Sequence, residues 1–433
     1  MRPSSIRIRW FVFAFMFAVG FIAYLQQKGL TVAADLMEPE LGLTQSQIGW
    51  LRTSFILAYA LFQFPAGVIG QALGARQTLV YAGIVAVIAV LMMPAAPLVL
   101  SGPALYAAML VAQFSLGVAQ SFVWPVSSGV LSRWFPSQRW AFVLGLQTMG
   151  LGLGSMVTPP LISGLMVSFG WQRALALAAL PAIPFLILWA WFGRNTPAEH
   201  PKVSREELAE LDAAALGLAG HEHTGSTSPW AGLGKLLMNR TLLLLAFSYL
   251  CMNYLFYLLG DWVFLYLRQE RHFSILESGW LAGLPPLAGA IGAGVGGFVT
   301  STLCARLGNR WGLRLLPLLS LPVAGLLLLV AVSNSSPLVA VAALTAAYGA
   351  VELNEGAYWA AAMNVGGRDT MSASGLLNTG GNLGGVVTAP IVGYLSELGH
   401  WDSVFWVGAG FAAVAAGAWL LVNGEPTRPG AGR

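Results

Sequence analysis

The chain has 433 residues, of which 57% are hydrophobic and only 9% are charged, whereas a soluble globular domain carries about 25% charged residues. This composition excludes a soluble enzyme and predicts on the order of a dozen membrane crossings of about 20 apolar residues each. The formal net charge of +4 fits basic cytoplasmic loops and needs no nucleic-acid partner.

Apolar runs, separated by Gly, Pro and charged residues, predict six helices in each half of the chain. The first six helices are predicted at 10–33, 47–70, 78–100, 104–132, 140–168 and 171–193. The second six are predicted at 240–268, 276–304, 312–333, 337–364, 370–396 and 402–422. We therefore predict an all-α integral membrane protein with an N-terminal bundle at 1–193, a linker at 194–239, a C-terminal bundle at 240–422 and a tail at 423–433.

The basic residues are unevenly distributed between the loops. With the N-terminus in the cytoplasm, most of the 22 Lys and Arg residues fall on the cytoplasmic side, as the positive-inside rule requires. The first helix lacks a small-residue cleavage site and is interpreted as a retained span. We predict a multi-pass protein of an inner or plasma membrane with both termini in the cytoplasm.

The linker carries two local patterns. Ser204 and Glu207 have the spacing of a capping box before a short surface helix. His221, Glu222 and His223 are candidate metal ligands, but no further ligand lies at a useful spacing, so a solvated linker is favoured. The two cysteines, Cys251 and Cys304, lie in apolar stretches and exclude a disulfide framework. We predict no metal and no cofactor.

Two short patterns recur in the second half. The segment 147–159, with Gln-Thr, Gly and Pro, recurs at 378–390 with Asn-Thr, Gly and Pro, and Gly74-Ala75-Arg76 recurs as Gly308-Asn309-Arg310. Such a duplication places two bundles side by side with a solute site at their interface near the bilayer midplane. Two bundles that rock about one site are typical of a transporter.

Three segments carry a resemblance to a known family. They are Gly117–Pro125, Trp262–Arg271 and Leu377–Asn382. The chain resembles the major facilitator superfamily and, within it, the anion:cation symporter family of bacterial sugar-acid transporters and vesicular organic-anion carriers. The resemblance covers essentially the whole chain. It implies twelve helices in two pseudo-symmetric bundles, transport by alternating access and a monomeric carrier.

The chain departs from the family at its charged positions. The superfamily's loop 2–3 signature has Gln71 in place of its acid and Ala72 in place of a base, and Ser301 replaces the corresponding acid of the second half. The family's Tyr-x-Asp-Arg pattern in helix 1 reads Tyr24-Leu25-Gln26-Gln27, and the Arg and Glu of helix 4 become Gln113 and Gln120. The resemblance therefore implies a weakened or rebuilt cytoplasmic gate. It does not identify the substrate, because the family's charged substrate contacts are replaced.

Two acids in helix 10 are the main candidates for coupling, because an ionisable group inside a bilayer is a functional hypothesis by default. Glu352 and Glu355 are spaced i, i+3 with Trp359 at i+7, which places all three on one helix face. Two carboxylates about 6 Å apart in a low dielectric are not both ionised. This favours a proton-coupling pair or a cation site; the alternative is a structural pairing with an Arg or a hydroxyl of a neighbouring helix.

Arg52 is the candidate anion contact. It shares a face of helix 2 with Tyr59, seven residues later, which matches a cavity tyrosine in the resembling carriers. The alternative is an arginine that extends its charged end to the membrane interface. Asp261, near the outer end of helix 7, is a candidate substrate contact or, preferentially, an outer gate with Arg52, Lys28 or Arg268.

Neutral polar residues supply the remaining candidates. Gln113, Gln120 and Trp124 form a stripe at i, i+7 and i+11 of helix 4, and amides suit hydroxyls, amides or zwitterions. The alternative is hydrogen bonding between helices. Further cavity candidates, by family position or helix face, are Tyr24, Gln27, Tyr254, Tyr257, Trp359 and Asn378.

The favoured function is proton-coupled symport of a small polar organic anion, such as a sugar acid or carboxylate. Its expected partners are the solute, protons and membrane lipids, and its cavity is expected to be lined by helices 1, 2, 4, 5, 7, 8, 10 and 11. One alternative is a carrier of an organic cation, zwitterion or metal ion that uses Glu352 and Glu355. The other is a non-transporting sensor on a transporter fold. An enzyme is not predicted, because the chain shows no nucleophile and base at usable spacing.

Overall fold

The computed structural model describes residues 7–216 and 233–422, and this part of the chain is helical without strands. Nine stretches within it are long and apolar enough to cross a membrane. Three of them, of 56, 54 and 61 residues, are each interrupted near a glycine with positive φ, at Gly170, Gly308 and Gly367. Each of these three stretches therefore makes two crossings. The predicted trio of His221, Glu222 and His223 and the tail at 423–433 lie outside the described residues.

The twelve crossings of the described chain are numbered here as spans in chain order. The first half contains span 1 (Ile8–Leu41), span 2 (Gln45–Leu73), span 3 (Ala75–Ala95), span 4 (Gly102–Ser121 and Val123–Trp134), and spans 5 and 6 (Trp140–Ala179, divided at Gly170, and Ala182–Phe192). The second half contains span 7 (Arg240–Asp261 and Val263–Gln269), spans 8 and 9 (Ile275–Ala282 and Leu284–Ser333, divided at Gly308), span 10 (Pro337–Glu352 and Glu355–Gly366), span 11 (Thr370–Glu397) and span 12 (Trp401–Leu421).

The recurring glycines have the same backbone conformation. Gly74, between spans 2 and 3, has φ 83° and ψ 149°, and Gly308, between spans 8 and 9, has φ 76° and ψ 165°. A residue with a side chain rarely adopts such a positive φ. The repeated pattern thus corresponds to a repeated turn, and it supports the duplication inferred from the sequence.

The helices of each half pack on one another, and several pairs of spans join the two halves. Span 1 packs on span 5 and span 2 on span 4, while span 7 packs on spans 11 and 12 and span 8 on span 10. Between the halves, span 2 packs against span 11 and span 5 against span 8. Large apolar side chains such as Trp191, Phe298 and Leu326 remain exposed on the outside, as lipid-facing residues are.

The linker helix Arg205–Leu216 clamps the start of span 1. The Glu207 carboxylate accepts the backbone N–H groups of Ile8 (3.2 Å) and Arg9 (3.1 Å) and Nε–H of Arg9 (2.9 Å). Glu207 N–H donates to Ser204 Oγ at 3.1 Å. Only this half of the predicted capping box forms, because the Glu207 side chain turns to span 1, where orphan N–H groups need acceptors.

We expect Glu207→Ala to be strongly destabilising. The pair is buried, with Arg9 0% and Glu207 4% exposed, and removing one partner of a buried ion pair costs about 3–5 kcal/mol. The lower end of this range applies here, because Arg9 keeps its 3.1 Å ion pair with the partly exposed Glu210. Thermal melting of the purified protein measures the effect. Glu206→Ala, an exposed neighbour in the same turn, is the matched control, and equal melting temperatures for the two variants would contradict the expectation.

Candidate functional site

A cavity of about 240 Å³ lies between the two halves. Its walls come from spans 1, 2, 4, 5, 7, 8, 10 and 11, which are the eight helices expected from the sequence. All of the candidate residues except Gln120 and Tyr254 line it, namely Tyr24, Gln27, Arg52, Tyr59, Gln113, Trp124, Tyr257, Asp261, Glu352, Glu355, Trp359 and Asn378.

The cavity is closed on the side of the membrane that holds the linker helix and Val422, called here the terminal side. There a Cβ placed on Gly67 would lie 2.2 Å from the Met371 carbonyl oxygen, and one on Gly145 would lie 2.3 Å from the Ala293 carbonyl oxygen. The backbones of spans 2 and 11, and of spans 5 and 8, therefore touch. The cavity extends from this contact toward the opposite side.

The residues that replace the family's gate acids make hydrogen bonds at this closure. Gln71 Nε2 donates to the Arg368 carbonyl of the other half. Ser301 Oγ accepts the backbone N–H of Phe142 at 2.8 Å, which is an orphan donor in the first turn of span 5. The terminal side is thus held by neutral hydrogen bonds and glycine contacts at these two positions.

The floor of the cavity is a pair of tryptophans from opposite halves. The rings of Trp124 on span 4 and Trp359 on span 10 lie 5.5 Å apart between centroids, with an interplanar angle of 33°. Both side chains are buried. They separate the cavity from the terminal-side closure.

The charges of the cavity are divided between the halves. Lys28 and Arg52 stand on spans 1 and 2, and Asp261, Glu352 and Glu355 stand on spans 7 and 10. Arg52 and Asp261 are exposed to the cavity mouth, and within the described residues neither makes an ion pair. One wall of the cavity is therefore basic and the facing wall acidic.

The two glutamates of span 10 flank a break in their helix. The first segment ends at Glu352 and the second begins at Glu355, yet Glu352, Glu355 and Trp359 all line the cavity, as the spacing predicts. Asn354 stabilises the break, because its Nδ2 donates to the Ala350 and Val351 carbonyls at 3.0 Å each and its Oδ1 accepts from Ser320 Oγ at 2.9 Å. Both carboxylates still reach the cavity.

The surroundings of the two carboxylates differ. Glu355 accepts from Trp359 Nε1 at 2.9 Å and from the Tyr249 hydroxyl, which lies 3.1 Å from both carboxylate oxygens. Glu352 is 3% exposed, and its Oε1 has no hydrogen-bond partner among the described residues. Gly296 gives span 8 close access to the break, since a Cβ there would lie 1.9 Å from the Leu353 carbonyl oxygen.

Two sequence candidates lie outside the cavity. Gln120 Nε2 donates to the Ala23 carbonyl at 3.0 Å, because span 1 covers the face of span 4 at this depth. Gln120 and Gln26 line a small second pocket within the first half. Tyr254 stacks on Phe411 at 4.1 Å between ring centroids and so packs against span 12.

The four glutamines that replace the family's charged residues thus line two different pockets. Gln27 and Gln113, at the positions of the family's arginines, face the main cavity. Gln26 and Gln120, at the positions of its two acids, face the pocket inside the first half. The first half therefore has no acid at either of these positions.

The structure adds cavity residues that sequence reasoning missed. They are Lys28 as a solute-facing cation, Tyr249, Asn253, Tyr348 and Asn382. Helical spacing could have identified three of them, since Tyr249 lies two turns and Asn253 one turn before Tyr257, and Asn382 lies one turn after Asn378. Tyr257 donates its hydroxyl to Asn382 Oδ1 at 3.1 Å, which joins spans 7 and 11.

Two six-helix halves around a central polar cavity, closed on one side only, define a membrane carrier. Residues 16–364 and 291–433 match the Major Facilitator Superfamily, and the chain belongs to this family. The predictions of its fold and of a transporter rather than an enzyme are confirmed.

Curated relatives extend over nearly the whole chain. It is 27% identical to the "Probable sulfoacetate transporter SauU" of Cupriavidus necator, with 97% of this chain and 95% of the relative covered. It is 26% identical to the Hexuronate transporter of Bacillus subtilis, with 94% and 92% covered. Among solved structures, the proton:xylose symporter XylE aligns with a TM-score of 0.77 at 11% identity, with 96% of this chain and 97% of that chain covered.

Proposed function

We propose that this protein is a proton-coupled symporter of a small organic anion. The observation that carries the proposal is the division of charge in the cavity, with Lys28 and Arg52 on one wall and the carboxylates of Glu352 and Glu355 on the other. An anion and a proton thereby have separate binding groups in a single cavity. The relatives described as a probable sulfoacetate transporter and a hexuronate transporter support an anionic solute.

The anion end of the solute binds to Arg52, with Lys28 beside it. A guanidinium presents a planar fork of donors that matches a carboxylate or sulfonate. Neutral groups deeper in the cavity hold the rest of the solute through hydrogen bonds, and the best placed are Tyr24, Gln27, Tyr59, Gln113, Tyr257 and Asn378. The tryptophans at the floor limit its length.

Transport follows from rocking of the halves, 1–193 and 240–422, which the linker at 194–239 connects. When the opposite side closes, the basic and acidic walls approach each other at the mouth. Asp261 then pairs with Arg52 or Lys28 and forms the gate on that side. We further propose that the protein works as a monomer in an inner or plasma membrane, surrounded by lipid, with the terminal side facing the cytoplasm.

A thermal-shift experiment tests the solute class. We expect sulfoacetate, D-glucuronate or D-glucarate to stabilise the purified protein, by about 2.7 kcal/mol at a hundredfold excess over Kd. Arg52→Gln removes the anion contact and should abolish this stabilisation. Arg173→Gln, an exposed arginine outside the cavity, is the matched control and should respond like the wild type.

Other outcomes would replace the proposal. Stabilisation by amines or divalent cations that is lost in Glu352→Gln and kept in Arg52→Gln would identify a carrier of organic cations, zwitterions or metal ions. Absence of solute exchange in liposomes that contain folded protein would favour a non-transporting sensor. Anion stabilisation that is equal in the wild type and Arg52→Gln would remove Arg52 from the site.

A further inference from the structure

We propose that the two glutamates of span 10 have different tasks: Glu352 binds and releases the transported proton, and Glu355 remains an ionised hydrogen-bond acceptor that positions Tyr249 and Trp359. This inference rests on the proposed proton coupling and divides its work between two side chains. Three independent observations lead to it, namely the hydrogen bonds, the position of each residue at its helix end, and the surrounding charges.

The hydrogen bonds favour a charged Glu355. Its carboxylate accepts from Tyr249 and Trp359, and donors directed at a carboxylate stabilise its ionised form. Protonation would remove the charge that strengthens these hydrogen bonds and would turn one carboxylate oxygen into an O–H donor that needs an acceptor of its own. An unpaired buried donor costs about 1–3 kcal/mol.

The break in span 10 acts in the same direction. Glu355 is the first residue of the segment Glu355–Gly366, where the positive end of the helix dipole stabilises a carboxylate. Glu352 is the last residue of the segment Pro337–Glu352, where the negative end destabilises one. A continuous helix would not distinguish the two positions, so Asn354, which stabilises the break, is the positioning residue for this difference.

The surroundings of Glu352 favour its neutral form. Among the described residues no Lys, Arg or His forms an ion pair with it, and the adjoining part of span 8 presents Gly289. The titratable side chains that interact with it electrostatically are Tyr24 of span 1, Tyr249 of span 7, and Tyr348 and Glu355 of its own span. Lys28, Arg52 and Asp261 stand at the mouth of the same cavity. A buried carboxyl group without a partner is more stable when protonated.

The proton balance of the cycle is simple. With the opposite side open, a proton from water forms an O–H bond with a carboxylate oxygen of Glu352. With the terminal side open, water enters the cavity and raises its dielectric, so that both glutamates can be ionised. The O–H bond of Glu352 then breaks, the proton passes to water and the carboxylate is restored. Glu355 exchanges no proton in either step.

Infrared difference spectroscopy of the full-length protein in liposomes tests this assignment without any solute, with hydrogen ion as the only titrant. A protonated carboxyl group has a carbonyl stretching band that carboxylates lack. We expect this band to be lost as pH rises in the wild type, to be missing in Glu352→Gln, and to persist in Glu355→Gln. Glu397→Gln, which changes an exposed carboxylate, is the matched control and keeps the band.

A second variant addresses Glu355 itself and does not depend on folding of the Gln substitutions. Tyr249→Phe combined with Trp359→Phe removes both donors, so Glu355 should become protonated and the band area should rise about twofold. An unchanged band in Glu352→Gln, or an unchanged area in the double variant, would overturn the inference. If the rate and extent of solute transport do not depend on the proton gradient, the proposed function is overturned, whatever the spectra show.

Discussion

Glu352→Gln is expected to abolish proton-driven accumulation of the transported anion and to leave solute exchange intact. An amide has the shape of a protonated carboxyl group, so the loaded carrier can still interconvert between its two open states. It cannot release a proton, so a pH gradient performs no work on the solute. One proton across two pH units supplies about 2.7 kcal/mol, which corresponds to about a hundredfold accumulation of a monoanion.

The measurement uses liposomes loaded at high pH, diluted into low pH, with the membrane potential held at zero. The solute is the anion that the thermal-shift screen identifies. Wild-type protein should concentrate it toward the hundredfold limit, whereas Glu352→Gln should bring it only to equal concentrations. Glu397→Gln is the control. Accumulation by Glu352→Gln at the wild-type level would exclude this residue as the proton carrier.

The sequence predicted the spans because membrane crossing leaves a strong signal. Runs of about 20 apolar residues are needed to cover the hydrocarbon core, and glycine and proline mark their ends. Span 1 nevertheless continues to Leu41, past the predicted end at residue 33. Hydropathy identifies only the part of a helix that lies in lipid, and a helix can extend beyond it.

The depth and rotation of each side chain were harder to predict. Gln113 and Gln120 share a helix face, as the spacing requires, yet span 1 covers only Gln120. Tyr254 and Tyr257 are both tyrosines of span 7, and only Tyr257 reaches the cavity. Which face points inward depends on the neighbouring helices, and a single sequence does not contain that information.

The break in span 10 is not marked by the residues that usually interrupt a helix. Neither Pro nor Gly occurs at Leu353 or Asn354, and the backbone there remains in the right-handed helical region. The interruption depends on the Asn354 side chain, which takes over two carbonyls of its own helix. Asparagine competes for backbone partners in this way, but the outcome also requires Ser320 of span 9.

Gly67→Val is expected to force the terminal side open. A Cβ at this position would lie 2.2 Å from the Met371 carbonyl oxygen, and backbone cannot move aside as a flexible side chain can. Overpacking typically costs about 1–3 kcal/mol, which shifts a two-state equilibrium by about 5–150-fold. The carrier should therefore populate the terminal-open state and lose net transport.

Distances between spin labels at Gln138→Cys and Ala305→Cys measure this shift, because both positions are exposed on the terminal side in opposite halves. The longer distance should dominate in Gly67→Val. Gly417→Val is the matched control, since nothing lies within 4 Å of a Cβ there. The same distance distribution in both variants would show that the contact at Gly67 does not hold the terminal side closed.

The same labels test the neutral character of this closure. The hydrogen bonds of Gln71 and Ser301 contribute about 0.5–1.5 kcal/mol each, and neither involves an ionised side chain. Salt screens charges over about 10 Å at 0.1 M and about 3 Å at 1 M, so a closure built on charged pairs would loosen over this range. We expect the wild-type distances to stay unchanged, because in this chain glycine packing and neutral hydrogen bonds occupy the positions of the family's gate charges.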